Sequence, residues 1–80
     1  MKFNQTLEIR GKEKKISQKD KEYLIVRCED IETGEAYELY EPNAENYEYY
    51  KRGSEAIFNF ELSQYRGNWQ IKILDFKLID

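Results

Sequence analysis

Histidine is absent from the 80 residues, and cysteine and proline occur once each. Without histidine, the commonest general base, triad orienter and metal ligand is missing. A lone cysteine, Cys28, cannot close an intramolecular disulfide, so the stapled framework of a small secreted domain is excluded. Zinc sites need clustered Cys and His, which the chain does not have. The acidic run from Glu29 to Glu41 lacks the D-x-[DN]-x-[DN]-G loop of calcium sites. Glycine is sparse too: Gly34, Gly53 and Gly67 stand singly, as turn residues do, and form no phosphate-cradling loop. No apolar stretch approaches the length of a membrane-spanning helix or a signal segment. The expectation is a cytoplasmic, soluble, non-enzymatic protein with no cofactor, no metal and no membrane partner.

What the chain does have is aromatic and charged. Hydrophobic residues make up 40% and charged residues 36%, and seven of the twelve aromatics are tyrosine. That apolar content excludes disorder, and 80 residues form a single domain (1–80) burying roughly two-thirds of its chain surface. The net charge of −3 hides a segregation of sign. Residues 1–27 carry eight basic side chains against four acidic ones. Residues 28–50 carry eight acids and no base. Such asymmetry places a locally positive surface on an acidic protein, and local potential steers polyanions more than net charge does.

Phe3, Leu7 and Ile9 alternate with polar residues, the period of a half-buried strand, until Gly11 interrupts with a bulge or bend. In unbroken phase Arg10, Lys12 and Lys14 share a face; a bulge shifts that by one residue. The polar run Ser17–Lys21 is a loop. A second strand covers Tyr23–Asp30, with Leu24, Val26 and Cys28 on one face and Tyr23, Ile25 and Arg27 on the other. After the turn at Ile31–Gly34 a third strand returns over Glu35–Glu41 and stops at Pro42. Ala44, Tyr47 and Tyr50 share one face of a short helix, which Gly53 ends. Ala56, Phe58, Phe60 and Leu62 mark a fourth strand. The fifth, Trp69–Ile79, switches phase between Ile73 and Leu74, as a bulge there or burial of both faces requires. Three strands, a short helix and two strands, with a bent first strand, is the element order of the OB-fold: an all-β, five-stranded Greek-key barrel with its helix between strands three and four.

OB-folds bind oligonucleotides or oligosaccharides across strands two and three, flanked by the loops joining strands one to two and four to five. That surface gathers the suggestive residues here. Lys15, Lys19 and Lys21 belong to the first loop, and Lys12 and Lys14 to the strand leading into it. Strand two offers Tyr23 and Arg27, strand three Tyr40, and the second loop Tyr65, Arg66 and, at its edge, Trp69. Cations that follow a backbone and aromatic faces that stack bases are what single-strand binders need. Structural roles compete for several of them. Tyr23 and Tyr40 also suit a barrel rim, and Trp69, in phase with Ile71 and Ile73, is expected to close the barrel mouth. Tyr37 is expected in the core with Leu39. Glu29, Glu35, Glu38 and Glu41 repel phosphate wherever they face the groove.

The runs Lys21-Glu22-Tyr23-Leu24-Ile25-Val26-Arg27, Asp30-Ile31-Glu32-Thr33-Gly34 into Tyr37, and Ser63-Gln64-Tyr65-Arg66-Gly67-Asn68-Trp69-Gln70 carry a resemblance. Over residues 9–79 the chain resembles small OB-fold proteins of Gram-positive phages and conjugative elements, and more distantly the single-stranded-DNA-binding protein of filamentous phages. The resemblance implies single-stranded DNA as the partner, held by strand aromatics and loop cations, usually in a homodimer. Tyr23 and Arg27 are the matching positions, followed by Tyr65 and Arg66. The acidic hairpin departs from the basic character of that group. It supports the alternative expectation, a protein-interaction module that meets a basic protein partner through strands two and three.

Overall fold

The computed structural model describes residues 2–79, apart from the side chain of Tyr65. Its strands are β1 (Lys2–Ile16), β2 (Glu22–Glu29), β3 (Ala36–Glu41), β4 (Glu55–Tyr65) and β5 (Asn68–Ile79), with a 3₁₀ helix over Ala44–Tyr49 between β3 and β4. They close in the order β1-β2-β3-β5-β4, with β4 pairing back onto β1. Neighbours are antiparallel except β3 and β5, which run parallel where Tyr40 meets Lys72. This is the OB-fold barrel that the order of hydrophobic phases predicts. No helix among the described residues is long and apolar enough to cross a membrane.

Alternation along each strand sends one set of side chains inward. Leu7 and Ile9 from β1, Leu24, Val26 and Cys28 from β2, Leu39 from β3 and Phe58 from β4 are all buried. Burial pushes the Cys28 thiol up to about 12, so at neutral pH it is a small protonated apolar group. Tyr37 packs on the edge of this core, and its hydroxyl donates to Glu35.

Two bulges reset the phase of long strands. In β1, Ile9 lies opposite Cys28 and Gly11 opposite Arg27, so Arg10 is the extra residue. Arg10 turns outward to Glu8 at 2.9 Å and Glu29 at 3.2 Å. Lys12 and Lys14 instead lie opposite Val26 and Leu24, in the inward phase, so the three cations do not share a face. In β5, Asp75 faces Asn59 while Ile73 faces Phe60, which leaves Leu74 as the extra residue and explains the inversion of the apolar phase.

The helix plugs one end of the barrel. Asn43 caps its start by accepting from the Glu45 amide. Ala44 and Tyr47 pack against the core, and Tyr50, just past the helix, is fully buried. Lys12 Nζ donates to the Tyr47 carbonyl at 2.6 Å and lies 3.9 Å from the centroid of the Tyr47 ring, a cation at the helix C-terminus where the last turn has no basic residue of its own.

Glu41, which ends β3, is inward and buried. Its carboxylate accepts from Asn46 Nδ2 at 2.7 Å and from the Tyr50 hydroxyl at 3.1 Å, tying the helix to the sheet. Loss of hydration raises its pKa despite these bonds. Between the ordinary glutamate value and this raised value the unfolded chain holds fewer protons than the folded one. Glu41 therefore subtracts stability as pH rises through that interval. Glu41→Gln should abolish the fall, because a carboxamide does not titrate, while its oxygen still accepts from Asn46. Glu41→Ala strands both partners and should cost about 1–3 kcal/mol. Urea unfolding of the three proteins at acidic and neutral pH measures this. A wild type that gains on the Gln variant as pH rises would contradict the assignment.

Candidate functional site

The outer face of β2 and β3 carries the other phase: Tyr23, Ile25 and Arg27 on β2, Glu38 and Tyr40 on β3. Pairing sets Lys15 beside Tyr23, Glu13 beside Ile25, Ile25 beside Tyr40, and Tyr40 beside Lys72 of β5. The Tyr23 and Tyr40 rings come together at 5.4 Å between centroids, tilted by 52°. Both are half-buried, so their edges pack while part of each ring faces solvent.

Two clefts meet at Tyr23. One, of about 410 Å³, is lined by Ser17, Tyr23, Ile25, Tyr40 and Gln70. The other, of about 420 Å³, is lined by Ile16, Ser17, Gln18, Lys19, Tyr23 and Arg66. Ser17 and Tyr23 border both, so a trough runs from the face of β2 and β3 to the gap between the β1–β2 and β4–β5 hairpin tips. This is the face and the loop pair through which OB-folds take extended ligands.

Both tips are tight. Ser17 N–H donates to the Lys21 carbonyl, and Ser17 Oγ accepts from the Lys19 and Lys21 amides. Asp20 adopts a left-handed φ of 58° to complete this short loop. Arg66 and Gly67, with φ of 51° and 81°, form a two-residue turn of type I′. The tips are thereby fixed relative to the sheet, with Lys19 and Lys21 exposed on one and Arg66 exposed on the other.

Charge on β1, β2 and β3 is largely self-compensated, while Lys72 of β5 is in no ion pair among the described residues. Arg27 lies between Glu13 at 3.6 Å and Glu38 at 3.3 Å. Lys15 is 3.7 Å from Glu13 on the same face, and off it, on the inward phase, Lys14 is 3.6 Å from Glu22. The acids that threatened to repel a polyanion are thus occupied: Glu38 by Arg27, Glu29 by Arg10, Glu35 by Tyr37, and Glu41 within the core.

Of the residues singled out in the sequence, the fold brings Tyr23, Tyr40, Lys19 and Arg66 to the trough. Lys15 and Arg27 adjoin it in ion pairs, and Lys21 lies at the β1–β2 loop. It does not bring Lys12 or Lys14 there; both lie against the Tyr47 ring at the helix-plugged end. The Tyr65 side chain lies outside the described residues. Trp69 does not close the barrel mouth: it is 67% exposed. Its phase is inward, but it sits beside the Arg66–Gly67 turn at the tip of the β4–β5 hairpin, where the ladder runs on to Tyr65 and Asn68. Ser17, Ile25, Gln70 and Lys72 were missed as site residues. Once Trp69, Ile71 and Ile73 are set inward, alternation turns Gln70 and Lys72 outward, and the parallel contact of β5 with β3 puts them beside Tyr40.

The strand order and the helix position define an OB-fold barrel, with this trough over β2 and β3. No family model, curated protein or solved structure matches the chain.

Proposed function

We propose that this chain is a non-enzymatic, cytoplasmic OB-fold domain that binds single-stranded nucleic acid, DNA in preference to RNA, along the trough over β2 and β3. The observation that carries this reading is the Tyr23–Tyr40 pair in a trough that opens at one end between exposed cations on two hairpin tips. Aromatic faces stack bases irrespective of sequence, and cations at the hairpin-tip end of the trough meet the backbone. Anisotropy of labelled oligo-dT at low and then physiological salt tests it. Saturable binding that weakens with salt supports the reading; no binding at low salt by folded protein rejects it.

Arg66 gives the same reading a separate handle. The first position of a type I′ turn favours Asn or Gly, and a left-handed arginine there is strained. Arg66→Asn relieves that backbone strain and, in protein that circular dichroism shows to be folded, should lose one phosphate contact and reduce the slope of log affinity against log salt by about 0.7. An unchanged slope would remove Arg66 from the interface.

A second reading is favoured by the acidic turn after β2. Ile31 is 57% exposed there, in a cleft of about 500 Å³ lined by Gln5, Thr6, Asp30, Ile31, Glu32 and Glu55. This surface suits a basic protein partner. Chemical-shift changes over Glu32–Glu41 on adding such a partner, and none on adding DNA, would favour it.

A further inference from the structure

We infer that the cleft between Tyr40 and Gln70 is a nucleobase-reading site, with Gln70 as its specificity-determining residue; this rests on the single-strand reading above. Three observations lead there. First, the floor is uncharged: Ser17, Tyr23, Ile25, Tyr40 and Gln70 line the cleft. Second, Arg27 is engaged by Glu13 and Glu38 and Lys15 by Glu13, which leaves Lys72, beside Tyr40, as the cation on this sheet face outside an ion pair among the described residues, so phosphate contacts over the face are few. Third, Gln70 is the one lining residue whose side chain offers a donor and an acceptor side by side. Ser17 Oγ is occupied by two loop amides, whereas the Gln70 carboxamide has no side-chain hydrogen bond among the described residues. It is half-buried beside Tyr40, where a base stacked on the tyrosine would present its edge.

An OB-fold that grips mainly phosphates binds every sequence alike and loses affinity steeply with salt. This face predicts the opposite balance. About four cations, Lys19, Lys21 and Arg66 at the hairpin tips and Lys72 beside Tyr40, give a log–log salt slope near −3. A carboxamide meeting a Watson–Crick edge separates bases by about fivefold or more.

The test measures anisotropy with labelled oligo-dT, oligo-dC and oligo-dA and an abasic oligomer of equal length, using wild type, Gln70→Ala and Gln70→Glu. Wild type should rank the three homopolymers over about fivefold or more and bind the abasic oligomer weakest. Gln70→Ala should compress the ranking to within about twofold with the salt slope unchanged. Gln70→Glu, close in shape but only an acceptor, should lose most on oligo-dT, whose O4 needs a donor, and least on the amino-bearing bases. Circular dichroism checks that each variant is folded. Equal binding of all four oligomers with a steep salt slope would overturn this inference and leave single-strand binding standing. A ranking that survives Gln70→Ala would also overturn it. Failure of every oligomer to bind folded wild type would reject the single-strand reading and this inference together.

Discussion

Replacing Tyr23 and Tyr40 together by alanine should lower affinity for oligo-dT by at least about 30-fold, because each base stacked on an aromatic ring is worth about 1–3 kcal/mol. The rings lie on the outer face, in contact with one another at 5.4 Å, and belong to none of the buried core. Their loss removes a binding surface rather than a structural one, so the barrel should keep its far-ultraviolet spectrum and a cooperative melt. The phenylalanine pair, Tyr23→Phe with Tyr40→Phe, keeps both ring faces and should bind within about threefold of wild type. Anisotropy titrations of the three proteins distinguish stacking from hydroxyl chemistry. If the phenylalanine pair falls as far as the alanine pair, the hydroxyls carry the interaction and stacking does not.

Phe58→Ala should cost about 3–5 kcal/mol, the largest stability effect expected of any single substitution here. The ring is fully buried at the centre of the barrel. Its centroid lies 6.2 Å from Tyr50, 6.3 Å from Phe60 and 6.1 Å from Phe76, so its removal opens a void shared by both long strands and by the residue that follows the plugging helix. A domain of this length has a total stability of about 4–12 kcal/mol, so the variant is expected to be partly or largely unfolded at room temperature. Urea denaturation followed by tryptophan fluorescence and circular dichroism measures the loss. A cost below about 1 kcal/mol would mean that the aromatic cluster repacks, contrary to the tight packing described.

The fold was legible because a closed barrel imposes one alternating phase on every strand, and Leu24-Val26-Cys28 and Ala56-Phe58-Phe60 display it without interruption. The breaks were legible too: Gly11 marks the first bulge, and the Ile73-Leu74 inversion marks the second. What alternation cannot give is where neighbouring strands end. Trp69 reads as core by phase, yet it is exposed at the tip of the β4–β5 hairpin. Lys12 and Lys14 read as groove cations, yet the Arg10 bulge turns them toward the helix. Glu41 reads as a possible source of repulsion, yet it is a buried anchor for Asn46 and Tyr50. Tyr23 and Tyr40 were legible as outward residues on adjacent strands. Gln70 was not, because its meaning depends on the single parallel contact of β5 with β3, which joins strands far apart in the chain.

The central claim is that the outer face of β2 and β3 meets single-stranded DNA, and backbone amide chemical-shift mapping of the ¹⁵N-labelled protein against oligo-dT tests it most directly. The predicted result is a contiguous set of perturbed amides at Ser17, Lys19, Tyr23, Ile25, Tyr40, Arg66 and Gln70, with Lys12, Lys14 and the acidic turn at Asp30–Glu35 unmoved. Perturbation confined to the acidic turn or the helix-plugged end, or none at all from folded protein at low salt, would contradict it.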